Sequence, residues 1–142
     1  MRISTKGTYA LAALVDLACH TGEGHENLKN ISSRLQVSEN YLRQLFMNLT
    51  KSGIVRSVRG AQGGYSLAKD ASDINVFDVL ESVEENMVIV PCIDKTLASQ
   101  CGNYDHCATR DTWVDLAEIV FEGTKNRTLA ELVAGVEVTN ED

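Results

Sequence analysis

Ser38-Glu39-Asn40-Tyr41-Leu42-Arg43-Gln44-Leu45-Phe46-Met47-Asn48-Leu49-Thr50-Lys51-Ser52-Gly53-Ile54-Val55-Arg56-Ser57-Val58-Arg59-Gly60-Ala61-Gln62-Gly63-Gly64-Tyr65-Ser66-Leu67-Ala68 is the stretch on which the fold turns. Ser38 is a good helix N-cap, Glu39 suits a first helical turn, and Tyr41, Leu42, Leu45, Phe46 and Leu49 recur as an apolar stripe. Gly53 stops that helix. Ile54 to Val58 then alternates apolar and polar as a strand does, and Gly64 to Ala68 can be its partner across the glycine-rich turn Arg59 to Gly63. The pattern predicts a helix followed at once by a β-hairpin.

Working outward, Tyr9, Leu11, Ala12, Leu14, Val15, Ala18 and Cys19 predict a first helix from Thr5 to His20, ending near Gly22, with Cys19 as a buried core thiol. Asn27 caps a short second helix bearing Leu28, Ile31 and Leu35, and Gln36-Val37 makes a tight turn into Ser38. Two helices joined by a tight turn, the second opening with polar residues, form a helix-turn-helix, and the hairpin beside it is a wing. Downstream, Asn75 or Ser72 caps a helix carrying Val76, Val79, Leu80 and Val83. A further helix from about Ala108 to Glu122 carries Trp113, Leu116, Ala117, Val120 and Phe121, and Thr128 caps a short last helix through Leu129, Leu132 and Val133. The expected fold is mainly α, a winged helix-turn-helix with one small hairpin.

At 142 residues the chain has room for one domain with an appended element. No apolar run is long enough for a transmembrane helix, Asp16 interrupts the first apolar run, and no secretion signal is expected. Cysteine usage without such a signal points to a reducing cytoplasm. The net charge of −7 hides a split. Residues 1–70 carry nine Lys and Arg against five Asp and Glu, a balance of +4, whereas residues 71–142 carry four against fifteen, a balance of −11. A basic half of this kind fits an anionic partner such as DNA.

The candidate DNA-reading residues are Ser38, Asn40, Tyr41, Arg43 and Gln44 at the start of the third helix, where such proteins face base edges. Asn40 or Gln44 can read adenine and Arg43 guanine. Arg59, flanked by Gly60 at the hairpin tip, can enter a minor groove. Lys6, Lys51, Arg56 and Lys69 suit phosphates. A winged helix used only for protein contacts would leave Arg59 idle, and no nucleophile–base pair or phosphate-binding loop indicates an enzyme.

Cys92, Cys101 and Cys107 share one polar, glycine-containing segment after Pro91. Three thiols cannot pair as disulfides without a remainder, but they can converge on a metal or an iron–sulfur cluster. Structural zinc held with His106, or a thiol-redox switch without a cluster, would use the same cysteines.

The opening Met1 to Ala10, the helix core Tyr41-Leu42-Arg43-Gln44-Leu45-Phe46, the wing Val58 to Tyr65 and the ending Thr128-Leu129-Ala130-Glu131-Leu132 closely resemble the IscR-type winged-helix repressors, a family that includes nitric-oxide-sensing NsrR regulators. The resemblance runs over nearly the whole chain. It implies a homodimer on a double-stranded DNA operator and no membrane. It also implies a regulator that senses iron–sulfur, redox or nitric oxide status, with a [2Fe–2S] cluster favoured over [4Fe–4S] and easily lost in air. The implied organisation is a DNA-binding domain over 1–84, a cluster loop over 85–107, and a dimerisation helix with a short C-terminal helix over 108–142. The chain departs from the family pattern in three places. Eight residues separate Cys92 from Cys101 and five separate Cys101 from Cys107, a longer first gap than the family's. Arg110 stands where IscR-like members place a ligating histidine, and Thr8 where the nitric-oxide sensors place an acidic ligand from the partner. Arginine stays protonated and cannot ligate. His106 and Asp105 are the nearest further donors.

Overall fold

Side-chain chemistry at the helix ends accounts for most of the element boundaries. The computed structural model describes residues 2–22, 24–84, 86–94 and 97–140. Helix α1 (Thr5–Thr21) is capped by the Ser4 hydroxyl, which accepts from Lys6 N at 3.1 Å. Its buried residues are Gly7, Ala10, Ala13, Leu14 and Leu17, the i, i+3, i+4 spacing of one helical face. Cys19 is exposed, which corrects the expectation of a core thiol. It lies two residues beyond Leu17, and two steps of a 3.6-residue turn carry it more than halfway round the helix.

Asn27 Oδ1 caps α2 (Leu28–Leu35) by accepting from Asn30 N at 2.9 Å. Gln36 ends it in the left-handed region at φ 56°. Ser38 then caps α3 (Glu39–Lys51), accepting from Tyr41 N at 3.2 Å. Gly53, at φ 72°, closes α3 in a Schellman turn: Gly53 N donates to Thr50 O and Ile54 N to Leu49 O, at 3.1 and 3.0 Å. The chain emerges as β1 (Val55–Val58), antiparallel to β2 (Gly64–Leu67), with Val55 opposite Leu67 and Val58 opposite Gly64.

The wing is wider than a hairpin. Glu26, in the α1–α2 loop, pairs with Tyr65 on the other edge of β2, with backbone hydrogen bonds of 2.9 and 2.8 Å. Gly64 permits this approach, because a Cβ there would lie 2.3 Å from the Glu26 carbonyl oxygen.

Asn75 rather than Ser72 caps α4 (Val76–Val83), and Ser72 sits in a preceding 3-10 turn. Helix α5 (Arg110–Lys125) starts and ends slightly later than the sequence predicts and buries no residue. Helix α6 (Leu129–Asn140) is longer than predicted and opens with a capping box, Glu131 N to Thr128 Oγ1 at 3.3 Å and Thr128 N to Glu131 Oε2 at 3.1 Å. A backbone bridge between Asn75 and Thr128 ties the starts of α4 and α6 together. The core lies among α1, α2, α3, the hairpin and α4, with Leu14, Leu17, Ile31, Leu42, Phe46, Leu49, Ile54 and Val79 fully buried. Phe46 meets Tyr65 edge-on at 4.8 Å, which seats the hairpin on α3. The fold is the mainly helical winged helix-turn-helix that the sequence predicts.

Candidate functional site

Helix α3 buries Leu42, Leu45, Phe46 and Leu49 and turns Asn40, Arg43 and Gln44 to solvent. The Arg43 guanidinium donates to Glu39 Oε1 at 3.0 Å, one turn back. Both groups are about half exposed, so the pair adds little stability. Its effect is to lay the guanidinium along the outer face of the helix. Ser38 is exposed and its hydroxyl is engaged in the cap.

Tyr41, which the sequence offers both to the apolar stripe and to the DNA-reading residues, is turned toward the core. Its ring packs edge-on against Tyr9 at 6.0 Å, and its hydroxyl is enclosed without a hydrogen-bond partner among the described residues. Arg56 also points elsewhere than the sequence suggests. Its Nε donates to Ser66 Oγ at 3.0 Å, and it lines a cleft with Ala18, Thr21, Ala130 and Val133. Arg56 and Ser66 are register partners one residue from Tyr65, so they lie on the hairpin face opposite the one that meets Phe46.

At the wing tip, Gly60 adopts φ 121° and Gly63 N donates to its carbonyl at 2.9 Å. That turn leaves Arg59 exposed beside a residue without a side chain. Lys6 is exposed in the first turn of α1, and Lys51 and Lys69 are exposed as well.

Several residues that steady this surface gave no sequence signal. The His25 ring Nε2 donates to the Gln62 carbonyl in the wing turn. Arg34 on α2 forks onto Asp16 of α1 at 2.7–3.1 Å and reaches Glu26 Oε2 at 2.8 Å. Asp16, against the opposing effect of burial, and then Glu26 hold the Arg34 guanidinium firmly protonated. Burial pushes the Glu26 carboxyl up, but hydrogen bonds from Arg34, Asn30 and Asn27 N outweigh it and leave Glu26 below its ordinary value. Glu84, just after α4, accepts from Ser4 N, Ser4 Oγ and Gly7 N at 2.9, 2.9 and 3.1 Å. Gly7 alone among these carried a hint, since only a missing Cβ allows the approach: one there would meet Glu84 Oε1 at 2.5 Å.

Among its described residues, the segment between α4 and α5 holds three 3-10 turns, Pro91–Ile93, Ala98–Gln100 and Tyr104–His106. Cys92 lies within the first turn, and Cys101 and Cys107 directly follow the second and third. Cys101 is exposed, and Cys92 and Cys107 are half-buried. Among the described residues, no three His, Cys, Asp or Glu side chains lie close enough to hold a metal ion, so the chain's own packing does not gather the three thiols into such a group. The Thr109 hydroxyl, 3.4 Å from Cys107 Sγ, and then the Thr109 N–H bring the Cys107 thiol below its usual value. Arg110 stacks on the Tyr104 ring with its guanidinium 4.3 Å from the centroid. His106 and Asp105 are exposed on the turn before Cys107. Soft thiol donors, exposed or half-buried on short turns, suit iron–sulfur ligation by chemistry.

A capped recognition helix, a wing held against it and an arginine at the wing tip define the class: a winged helix-turn-helix regulator. Residues 3–135 match the Rrf2 family model, described as an iron-dependent transcriptional regulator, and the chain belongs to that family. It is 44% identical over 138 residues to the HTH-type transcriptional regulator IscR of Serratia proteamaculans (strain 568), covering 97% of this chain and 82% of that protein. It is 41% identical over 140 residues to IscR of Pectobacterium atrosepticum, covering 99% and 84%. Among solved structures, T. potens IscR superposes with a TM-score of 0.77 at 37% identity, covering 98% of this chain and 90% of that one. CymR (YrzC), the global cysteine regulator of B. subtilis, gives 0.78 at 33% identity, covering 94% and 97%. The chain is a transcriptional regulator of the IscR type rather than an enzyme. No helix among the described residues is long and apolar enough to cross a membrane.

Proposed function

We propose that this protein is a homodimeric, cytoplasmic repressor that binds double-stranded operator DNA and senses iron–sulfur cluster status through Cys92, Cys101 and Cys107. One observation carries the reading. All three cysteines lie on the single segment that joins the winged helix to α5, each in or directly after a short turn. A [2Fe–2S] cluster held by these thiolates would supply redox and nitric oxide sensitivity, and the segment would take a different shape with and without it. His106 or Asp105, or a group from the second subunit, would complete the ligand set, since Arg110 is stacked on Tyr104 and a guanidinium offers no acceptor lone pair.

In this reading, Asn40, Arg43 and Gln44 face base edges in the major groove, Arg59 with Gly60 enters the minor groove, and Lys6 and Ser38 lie against phosphates. Helix α5 supports the dimer. It leaves Leu116, Ile119 and Phe121 exposed, Ile119 to 66%, and apolar side chains at that density on one helix call for a second surface. The segment meets α5 at one end and, through Glu84, the start of α1 at the other. A change in its shape can therefore alter the spacing of two recognition helices.

Anaerobic purification with visible spectra and iron and sulfide analysis tests the sensor. Iron and sulfide that are lost together in the Cys92→Ala, Cys101→Ala and Cys107→Ala variants, with altered DNA affinity, support it. A colourless protein that carries zinc, or one whose affinity ignores Cys92→Ala, overturns it.

A further inference from the structure

Viewed down its axis, α3 has two opposed faces. At 3.6 residues per turn, Leu42, Leu45, Phe46 and Leu49 gather on the core side. Asn40, Gln44, Met47 and Lys51 form a line diametrically opposite, and all four are exposed. Met47 stands out in this row. It is an apolar side chain, 52% exposed, flanked along the helix by an amide and an ammonium, and it points directly away from the buried Leu49.

We propose that Met47 is a specificity-determining residue that reads thymine C5-methyl groups in the major groove. This rests on the reading that α3 enters that groove. The thymine methyl is the apolar group the major groove offers, and an unbranched, polarisable thioether can follow it without a fixed geometry. Discrimination also has a repulsive part. Cytosine in place of thymine presents an N4 amino donor, and a thioether sulfur is too weak an acceptor to satisfy it once water is excluded. The distances along the helix are consistent. Met47 lies seven residues beyond Asn40, about 10 Å at 1.5 Å per residue, or about three base-pair steps of 3.4 Å. The two side chains thus address different bases of one half-site, and Lys51, one turn further, reaches toward the phosphates.

The test uses the full-length protein, purified anaerobically, and a duplex enriched by it from a random pool. Binding is measured by fluorescence anisotropy for that duplex and for copies in which each thymine in turn is replaced by uracil, which deletes only the methyl group. The expected result is one position per half-site where uracil weakens binding about fourfold, the equivalent of one buried methyl-sized group. Met47→Ala should bind the thymine and uracil duplexes equally at that position and keep the wild-type response elsewhere, with an unchanged melting temperature. Met47→Leu should restore part of the preference. Equal wild-type affinity for every uracil copy, an enriched half-site without thymine, or a Met47→Ala variant that retains the preference overturns the proposal. Failure to enrich any duplex, seen before uracil is introduced, overturns the DNA-binding reading with it.

Discussion

Glu84→Ala tests how the cysteine segment is tied to the start of α1. The Glu84 carboxylate oxygen accepts from Ser4 N at 2.9 Å, Ser4 Oγ at 2.9 Å and Gly7 N at 3.1 Å. Hydrogen bonds to a charged acceptor contribute about 1.5–3 kcal/mol each when enclosed. These are part-buried, so water recovers much of that once the carboxylate is gone. The negative charge at a helix N-terminus contributes a further ~0.3–1 kcal/mol. The expected net loss is about 2–3 kcal/mol, or a fall in Tm of about 6–9 °C for a chain of this size. Glu84→Gln keeps an acceptor oxygen without the charge and should lose about half as much. Scanning calorimetry measures the loss, and hydrogen exchange at the Gly7 amide localises it. A Glu84→Ala protein that melts within about 1 °C of wild type, with Gly7 still protected, would refute the reasoning. Gly7→Ala adds a check, because its Cβ would sit 2.5 Å from Glu84 Oε1 and 2.8 Å from Leu80 Cδ2. The double variant should therefore lose less than the sum of the two single ones.

Arg34→Gln should destabilise the protein at neutral pH and flatten its acid response. The lowered Glu26 carboxyl contributes stability that is fully present above its ordinary value of 4.5 and is lost as pH falls through the native value. The wild-type advantage in melting temperature should therefore shrink on acidification below that point, and a constant gap across the titration would contradict it. Gly64→Ala would place a Cβ 2.3 Å from the Glu26 carbonyl oxygen and should cost about 1–3 kcal/mol in denaturant unfolding, with weaker DNA binding as the wing shifts. Arg59→Ala should weaken duplex binding and reduce the slope of log affinity against log salt by about one, measured by anisotropy at several salt concentrations. Ile119→Asp should convert a dimer into a monomer in light scattering without lowering the stability of the subunit core, because Ile119 is exposed within one chain.

The legible parts of this sequence are those decided within a few residues. Ser38, Asn27, Asn75 and Thr128 each cap a helix by accepting, at a hydroxyl or amide oxygen, from the backbone N–H three positions on, so their role is local and readable. The helix-turn-helix and wing followed from those caps and from Gly53. Cys19 is apolar by type, but its angle around the helix carries it off the buried face. Tyr41 opens the recognition helix but sits about a quarter-turn from its outer line, against Tyr9, and sequence position alone does not distinguish the two. Glu84 and Arg34 were missed for another reason: their partners lie 80 and 18 residues away, and only the fold makes them neighbours. The cysteine segment is intermediate. Its donors can be read from composition, but the packing of the described residues does not gather them into a metal-holding group.

The pairing of Glu26 with Tyr65 has a mechanical consequence for regulation. Arg34 clamps Glu26 to α1 and α2, Glu26 is stitched to β2, and β2 rests on α3 through Tyr65 and Phe46. The loop before α2, the wing and the recognition helix are therefore tied to one another by side-chain and backbone contacts. In the dimer proposed above, a signal that tilts or moves such a body would change the phasing of two footprints against the helical repeat of the duplex.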